Sequence, residues 1–281
     1  MCVGPAAAEE PGASRRHAVV IVHAFGGHPK KFWYTRLREQ LVGGDTTTSV
    51  VTVIPHMPGG ADPQVDEWLA CLRTTVQQLA SAEPAADLYL VGHSVGCSAI
   101  LRYLASESEP VATPLCRLRG VLCVAGWMRV DEPWAAMAPW CEPFDLGAAR
   151  CALEAVGASL TLLVSDNGAH RRHTPLSARD RMPHRKYGLA MAQHPNSHAV
   201  THPARPALAH RTDHALPPRA DRFTRDHERN RLEWASALGA RTVLCPGRAH
   251  FGGRTQPAVQ SELARLMGLV ACSSGAELSA G

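Results

Sequence analysis

The stretch DLYLVGHSVGCSAILRYL, residues 87–104, decides the fold of this chain. Its first part, 87–91, is an apolar run that predicts a buried strand, and its last part has apolar residues at helical spacing. Ser94 stands between the two parts, flanked by Gly92 and Gly96 in the pattern G-x-S-x-G. The stretch therefore predicts a serine in the turn between a strand and a helix.

Such a turn is the nucleophile elbow of α/β hydrolases, in which a strained backbone exposes the serine hydroxyl and small residues let the strand and the helix pass closely. The alternative is an ordinary turn in which Ser94 caps the helix. We favour the elbow because a buried strand precedes Ser94 and an apolar helix follows it. The backbone N–H of Val95, at the helix N-terminus, is then expected to donate to the oxyanion of acyl transfer.

The rest of the chain repeats the alternation of short β-branched runs and longer amphipathic runs. We therefore expect an α/β-hydrolase fold, with a mainly parallel six-stranded sheet and helices on both faces. The predicted strands are 18–22, 49–54, 87–91, 121–125, 160–164 and 242–245.

Helix signals separate these strands. We predict one helix that includes Phe32 and Trp33, and another that Asp62 caps, with Pro63 in its first turn. Later helices are predicted over 225–238, closed by a glycine, and from Pro257 onward.

The domain organisation follows from the same pattern. We expect a single hydrolase domain over 17–270, with disordered tails at 1–16 and 271–281. The 53 residues 168–220 interrupt the domain and hold eight of the fifteen histidines, seven prolines and eight arginines. They show neither helical nor strand periodicity, so we predict a disordered insertion.

The insertion also accounts for the positive net charge of the chain, which is +4. It carries nine Lys and Arg against two Asp and Glu, which leaves 20 Lys and Arg and 23 Asp and Glu elsewhere. The remainder offers no basic face, so we expect no nucleic-acid partner.

A second oxyanion donor is expected from the loop after the first strand. His23-Ala24-Phe25-Gly26-Gly27 follows that strand and has the H-x-x-G-G character of such loops. The backbone N–H of Phe25 is the predicted donor, with that of Ala24 as the alternative.

The general base should be a histidine late in the chain, because the triad of this fold runs in the order serine, acid, histidine. His250 lies in a glycine-rich loop just after the last predicted strand, where the base belongs. His227 falls within a predicted helix, and the side chain of His93 should diverge from that of Ser94. We therefore predict His250 as the base.

Two carboxylates could orient that base. Asp166 follows the strand 160–164, and Asp221 follows the insertion. By its position alone Asp166 would be the obvious acid, but triads are recognised by geometry rather than by position, so Asp221 stays open.

The chain resembles the retinoblastoma-binding-protein-9-type family of small serine hydrolases, which includes bacterial members. The resemblance covers most of residues 17–267 apart from the insertion, and it rests on the elbow, His23 to Gly27, Pro55 to Pro58, Trp68, Pro143-Phe144 and His250-Phe251.

In that family the corresponding strand is followed by a polar stretch that ends in Asp-x-Phe, whose aspartate is the catalytic acid. Reading Ser165-Asp166-Asn167 directly into Asp221-Arg222-Phe223 restores such a stretch. The resemblance therefore implies Asp221 as the acid, with Asp166 as the alternative. The chain departs from the family pattern in two ways: Arg222 stands where a proline is common, and the insertion separates Asn167 from Asp221.

These residues predict a serine hydrolase that cleaves ester or amide bonds of small substrates through an acyl-enzyme. The alternatives are a catalytically impaired binding protein on a hydrolase fold, and a thioesterase or acyltransferase that uses the same elbow. No cofactor is expected. His194, His198 and His202 recur every four residues, but neighbouring prolines argue against a helix that would align them, so we expect no metal.

The remaining expectations concern partners and location. No L-x-C-x-E string is present, so a retinoblastoma-type partner is not supported, and no apolar run is long enough for a membrane span. Met1 to Arg16 lacks the pattern of a secretory signal. The nine cysteines are scattered without a C-x-x-C pair, which favours a reducing compartment. We predict a cytoplasmic protein and leave the nucleus open.

Overall fold

The computed structural model describes residues 15–42, 48–107, 109–127, 130, 133–166 and 227–269. Apart from Arg15 and Arg16, the predicted tails lie outside these residues, and so does the predicted insertion 168–220.

The described strands form one parallel sheet in the order β2-β1-β3-β4-β5-β6. Because β1 pairs with β2 on one side and with β3 on the other, the strand order reverses at β1, and loops gather beyond the carboxyl ends of the central strands. The predicted sheet is confirmed. Its strands are β1 (Arg15–Val22), β2 (Thr48–Val53), β3 (Asp87–His93), β4 (Leu118–Val124), β5 (Ser159–Val164) and β6 (Arg241–Leu244).

Helices cover both faces of the sheet, as predicted. One face packs against α1 and α6, and the other packs against α2, α3, α4 and α5. Their bounds are α1 (Tyr34–Val42), α2 (Val65–Ala82), α3 (Val95–Ser106), α4 (Leu146–Val156), α5 (His227–Leu238) and α6 (Pro257–Leu266).

Strand β1 shows why the sheet lies at the centre. Every residue from Ala18 to Val22 is buried, and alternate side chains enter opposite cores: Val20 packs on the side of α2 and α3, whereas Ile21 packs on the side of α1 and α6. Each fully buried Val or Ile contributes about 1.5–3 kcal/mol. A continuous apolar run therefore suits this central strand.

Two helix starts differ from the prediction. α1 begins at Tyr34, because Phe32 has a φ of 52°, in the left-handed region that cannot continue a helix. α2 begins at Val65 with Gln64 as its N-cap, so the predicted cap by Asp62 and the predicted place of Pro63 in the first turn are both wrong. The N–H of Asp62 instead bonds to the carbonyl of Gly59 at 2.7 Å, which places Asp62 in the preceding turn.

One described α-helix, α4, was not predicted, and neither were three short 3-10 helices over Pro110–Ala112, Pro114–Arg117 and Ala135–Cys141. In α4, the carboxylate of Asp145 accepts from the N–H of Ala148 at 2.8 Å, and Gly157 ends the helix with a φ of +69°. Both are ordinary helix boundaries.

Candidate active site

Ser94 occupies a strained turn between β3 and α3. Its φ of 56° and ψ of −120° are unfavourable for a residue with a side chain, and it is the residue immediately before α3. The N–H of Ser94 bonds to the carbonyl of Val124 at 2.9 Å, and the carbonyl of Ser94 accepts from the N–H of Cys97 at 2.9 Å. Neighbouring backbone on both sides thus holds the turn.

The two glycines of the elbow have no room for a side chain. A Cβ on Gly92 would lie 2.7 Å from the backbone of Cys97, and one on Gly96 would overlap the carbonyl oxygen of Val22. Helix α3 therefore passes so close to β1 and β3 that only glycine fits, which agrees with the interpretation of G-x-S-x-G as an elbow.

Trp127, which no sequence pattern singles out, contacts the candidate nucleophile. Its Nε1–H donates to Oγ of Ser94 at 3.1 Å, and its side chain is buried. Trp127 lies three residues beyond the end of β4, next to β3 in the sheet. An indole N–H can only donate, so Ser94 Oγ accepts in this bond and keeps its own proton for another acceptor.

The loop after β1 carries both alternatives for the second oxyanion donor, Phe25 and Ala24. The N–H of Ala24 donates to the hydroxyl of Tyr34 at 3.0 Å and is therefore occupied. The N–H of Phe25 remains the candidate. Gly27 closes the loop by donating to the carbonyl of Ala24 at 2.8 Å. The first predicted oxyanion donor is the N–H of Val95. Val95 is the first residue of α3, where helical N–H groups lack partners within the helix.

His23 holds this loop in place. Its Nε2 accepts from the N–H of Met57 at 3.1 Å, so its Nδ1 carries the proton and donates to the carbonyl of Ala24 at 2.9 Å. Burial lowers the pKa of His23, which favours this neutral form. His23 therefore acts as a support for the loop.

The predicted base lies against the elbow. The imidazole of His250 faces that of His93 with 5.4 Å between ring centroids, and its backbone carbonyl accepts from Nε2 of His93 at 2.8 Å. Since His93 directly precedes Ser94, the fold brings the loop after β6 to the elbow.

Only one of the two candidate acids lies among the described residues. Asp166 lies two residues beyond β5, and its Oδ1 accepts from the N–H of Gly247 at 2.8 Å, which ties it to the loop that carries His250. Asp221 lies outside the described residues.

The other histidine predictions can be placed in part. His227 is the first residue of α5, within a helix as predicted. His194, His198 and His202 lie outside the described part of the chain. Among the described residues, no group of three or more His, Cys, Asp or Glu side chains could hold a metal ion. No helix in this part of the chain is long and apolar enough to cross a membrane.

Comparison with known proteins supports a hydrolase. Residues 19–141, which include the elbow, match the family model described as serine hydrolase. A curated relative, YdeN of Bacillus subtilis (strain 168), named as a provisional hydrolase, is 29% identical over 86 residues, and this match spans 31% of the chain and 40% of the relative's length.

Solved structures agree on the fold. The crystal structure of the ydeN gene product from B. subtilis matches with a TM-score of 0.54 at 17% identity, covering 90% of this chain and 99% of that one. Est1E from Butyrivibrio proteoclasticus matches with a TM-score of 0.51 at 12% identity, covering 91% and 90%. The chain has the α/β-hydrolase fold, and the sequence matches support a small serine hydrolase.

Proposed function

We propose that this protein is a serine hydrolase that cleaves ester or amide bonds of small substrates, with Ser94 as nucleophile and His250 as general base. The observation that carries the proposal is the strained turn at Ser94, between β3 and α3, with the His250 loop bonded to the adjacent residue His93. Strain of this kind in a non-glycine residue is typical of functional positions.

The proposed first step is acylation. His250 takes the proton of Ser94 as Oγ attacks the substrate carbonyl carbon, and the oxyanion accepts hydrogen bonds from the N–H groups of Val95 and Phe25. When the tetrahedral intermediate collapses, the bond to the alcohol or amine breaks and His250 returns the proton to that leaving group. Water then attacks the acyl-enzyme by the same route, which restores Ser94.

We propose Asp221 as the acid that orients His250 and stabilises its charged form. This assignment comes from the resemblance to the retinoblastoma-binding-protein-9-type family. We also propose that the chain belongs to this family. Asp166 is the alternative, supported by its bond to Gly247 in the base loop, residues 247–253, which carries His250. The proposed reaction needs no cofactor.

We also propose a cytoplasmic location, as the sequence predicts. The described cysteines are free thiols, which suits a reducing compartment.

Reaction with a fluorophosphonate probe tests the proposal. Wild-type protein should gain one adduct, located at residue 94 by peptide mass spectrometry, and Ser94→Ala should gain none. Ser98→Ala is a matched control, because Ser98 is also buried but lies one turn further along α3, where its hydroxyl accepts from Arg102. This control should react like wild type. A folded wild-type protein that does not react would favour the binding-protein alternative.

A further inference from the structure

The ring of His93 bonds to Tyr34 and to the main chain of His250 within the candidate site. Its Nδ1 lies 2.7 Å from the hydroxyl of Tyr34, and its Nε2 lies 2.8 Å from the carbonyl oxygen of His250. The exposed fraction of His93 is 1%, and Tyr34 is fully buried. The His93 ring and the Tyr34 hydroxyl are therefore shielded from solvent.

The direction of each bond is fixed by its partners. A carbonyl only accepts, so Nε2 of His93 carries a proton and donates to His250. At the other end, the N–H of Ala24 donates to the oxygen of Tyr34, whose own proton is then directed at Nδ1 of His93. Burial raises the pKa of Tyr34, so its hydroxyl keeps that proton. A neutral His93 with its proton on Nε2 satisfies both of these bonds.

This series of hydrogen bonds joins three separate parts of the site. Ala24 precedes the candidate oxyanion donor Phe25, His93 precedes the candidate nucleophile Ser94, and the last acceptor is the candidate base itself. Residues that are 59 and 157 positions apart in sequence are linked by consecutive side-chain bonds.

The base loop also needs such restraint. Ala249 and Phe251, on either side of His250, have φ values of 47° and 53°, which are unfavourable for residues with side chains. A second donor holds the same loop, because Nε1 of Trp33 bonds to the carbonyl of Phe251 at 3.0 Å. Without these restraints the loop could relax to ordinary backbone angles and move the imidazole.

We propose that Tyr34 and His93 are positioning residues, which fix the main chain of His250 through the bond from His93 Nε2 and so set the distance between the base and Ser94. This inference rests on the proposed function of His250. Their effect on the reaction is indirect, because they act on the backbone of the base.

Two amide variants distinguish the contribution of His93 Nε2 from that of Nδ1. Glutamine can place an N–H near the position of Nε2 and keep the bond to His250, whereas asparagine is shorter and reaches only the position of Nδ1. At saturating fluorophosphonate, His93→Asn should lower the first-order inactivation rate constant by about 10- to 100-fold, because small misplacements of a catalytic group have effects of this size. His93→Gln should recover most of that loss. The probe concentration at half saturation should stay unchanged in both.

Tyr34→Phe removes the donor to Nδ1, and Tyr103→Phe is its matched control, since Tyr103 is a buried tyrosine on α3 whose ring faces Arg73. Tyr34→Phe should lower the same rate constant by about 10-fold, whereas Tyr103→Phe should leave it unchanged even if both lower the melting temperature. Equal rate losses in His93→Gln and His93→Asn, or in the two tyrosine variants, would overturn the proposal.

Nitrogen-15 NMR measures the protonation of the two His93 ring nitrogens without any reaction. The His93 signals are assigned by their loss in His93→Gln. We expect a neutral ring with its proton on Nε2 at neutral pH, and a proton on Nδ1 would overturn the proposal. If wild type fails to react with the probe while His93 shows the expected form, the proposed hydrolase function fails and the positioning role fails with it. If wild type reacts but the variants do not separate as stated, only the positioning role fails.

Discussion

The indole N–H of Trp127 donates to Oγ of Ser94 across 3.1 Å, in a part of the site where Trp127 is almost fully buried. Because the indole can only donate, this bond directs the proton of Ser94 away from Trp127. It also strengthens when Oγ becomes more negative, which happens as the proton leaves during attack and again when Oγ is the leaving group of deacylation.

Trp127→Phe should therefore slow the proposed hydrolysis while retaining most of the buried ring. Loss of one hydrogen bond worth about 0.5–1.5 kcal/mol corresponds to a fall in kcat/KM of about 2- to 10-fold for a p-nitrophenyl ester. Trp140→Phe is the control, since it loses a similar bond, from Nε1 to the carbonyl of Pro63 at 2.9 Å. If both variants keep the wild-type rate, the bond to Ser94 has no part in the reaction.

The two candidate acids should respond differently to the same change. Asp221→Asn should lower kcat by about 10⁴-fold, because an amide in place of the acid favours the wrong tautomer of the base. Asp166→Asn should cost less than about 10-fold, since the amide oxygen can still accept from the N–H of Gly247. Burst and steady-state kinetics with an activated ester measure both. The reverse order of effects would assign the acid role to Asp166.

Removal of residues 168–220, which joins Asn167 to Asp221, should preserve the reaction with fluorophosphonate. Shortening a connection from over fifty residues to a few changes the closure entropy by only about 2 kcal/mol, in favour of the shorter chain. Urea unfolding and the labelling rate measure the two effects. A version with a Gly/Ser segment of equal length controls for the length alone. If the shortened chain folds but does not label while wild type does, the segment contributes to the site.

The sheet and the elbow could be predicted because their signals are local. A buried parallel strand shows as a continuous apolar run, and the elbow shows as Gly92 and Gly96 around Ser94. The start of α1 was harder to predict. Phe32 and Trp33 fit the apolar pattern of a helix, but the backbone of Phe32 is not helical.

The supports of the site could not be predicted in the same way. The bond from Trp127 to Ser94 spans 33 positions, and that from Tyr34 to His93 spans 59. Each depends on strand order and on side-chain direction, which no short pattern specifies. One signal was present: Trp127 closely follows a predicted strand, and the carboxyl ends of parallel strands share one edge of the sheet.

His17 supplies the last prediction. It lies on β1 with 2% of its surface exposed, and its ring packs edge-on with that of Tyr89, with 5.5 Å between the ring centroids. Among the residues that the structure describes, neither ring nitrogen has a hydrogen-bond partner. Burial lowers its pKa from the ordinary value of 6.5. His17→Phe keeps a ring there and removes two buried polar atoms, so the free energy of unfolding should rise by about 1–3 kcal/mol.

This gain should grow as the pH falls. Below pH 6.5 the unfolded chain binds a proton at His17 that the folded chain does not. Wild type therefore loses stability through His17 between that pH and the lower folded-state pKa, and the variant is spared this one loss. His23 shifts in the same direction but is present in both proteins and cancels. Urea unfolding at about pH 7.5 and about pH 5.5 measures the difference, with the exposed His28→Phe as control. A gain that is equal at both values would mean that His17 titrates alike in the folded and unfolded chain.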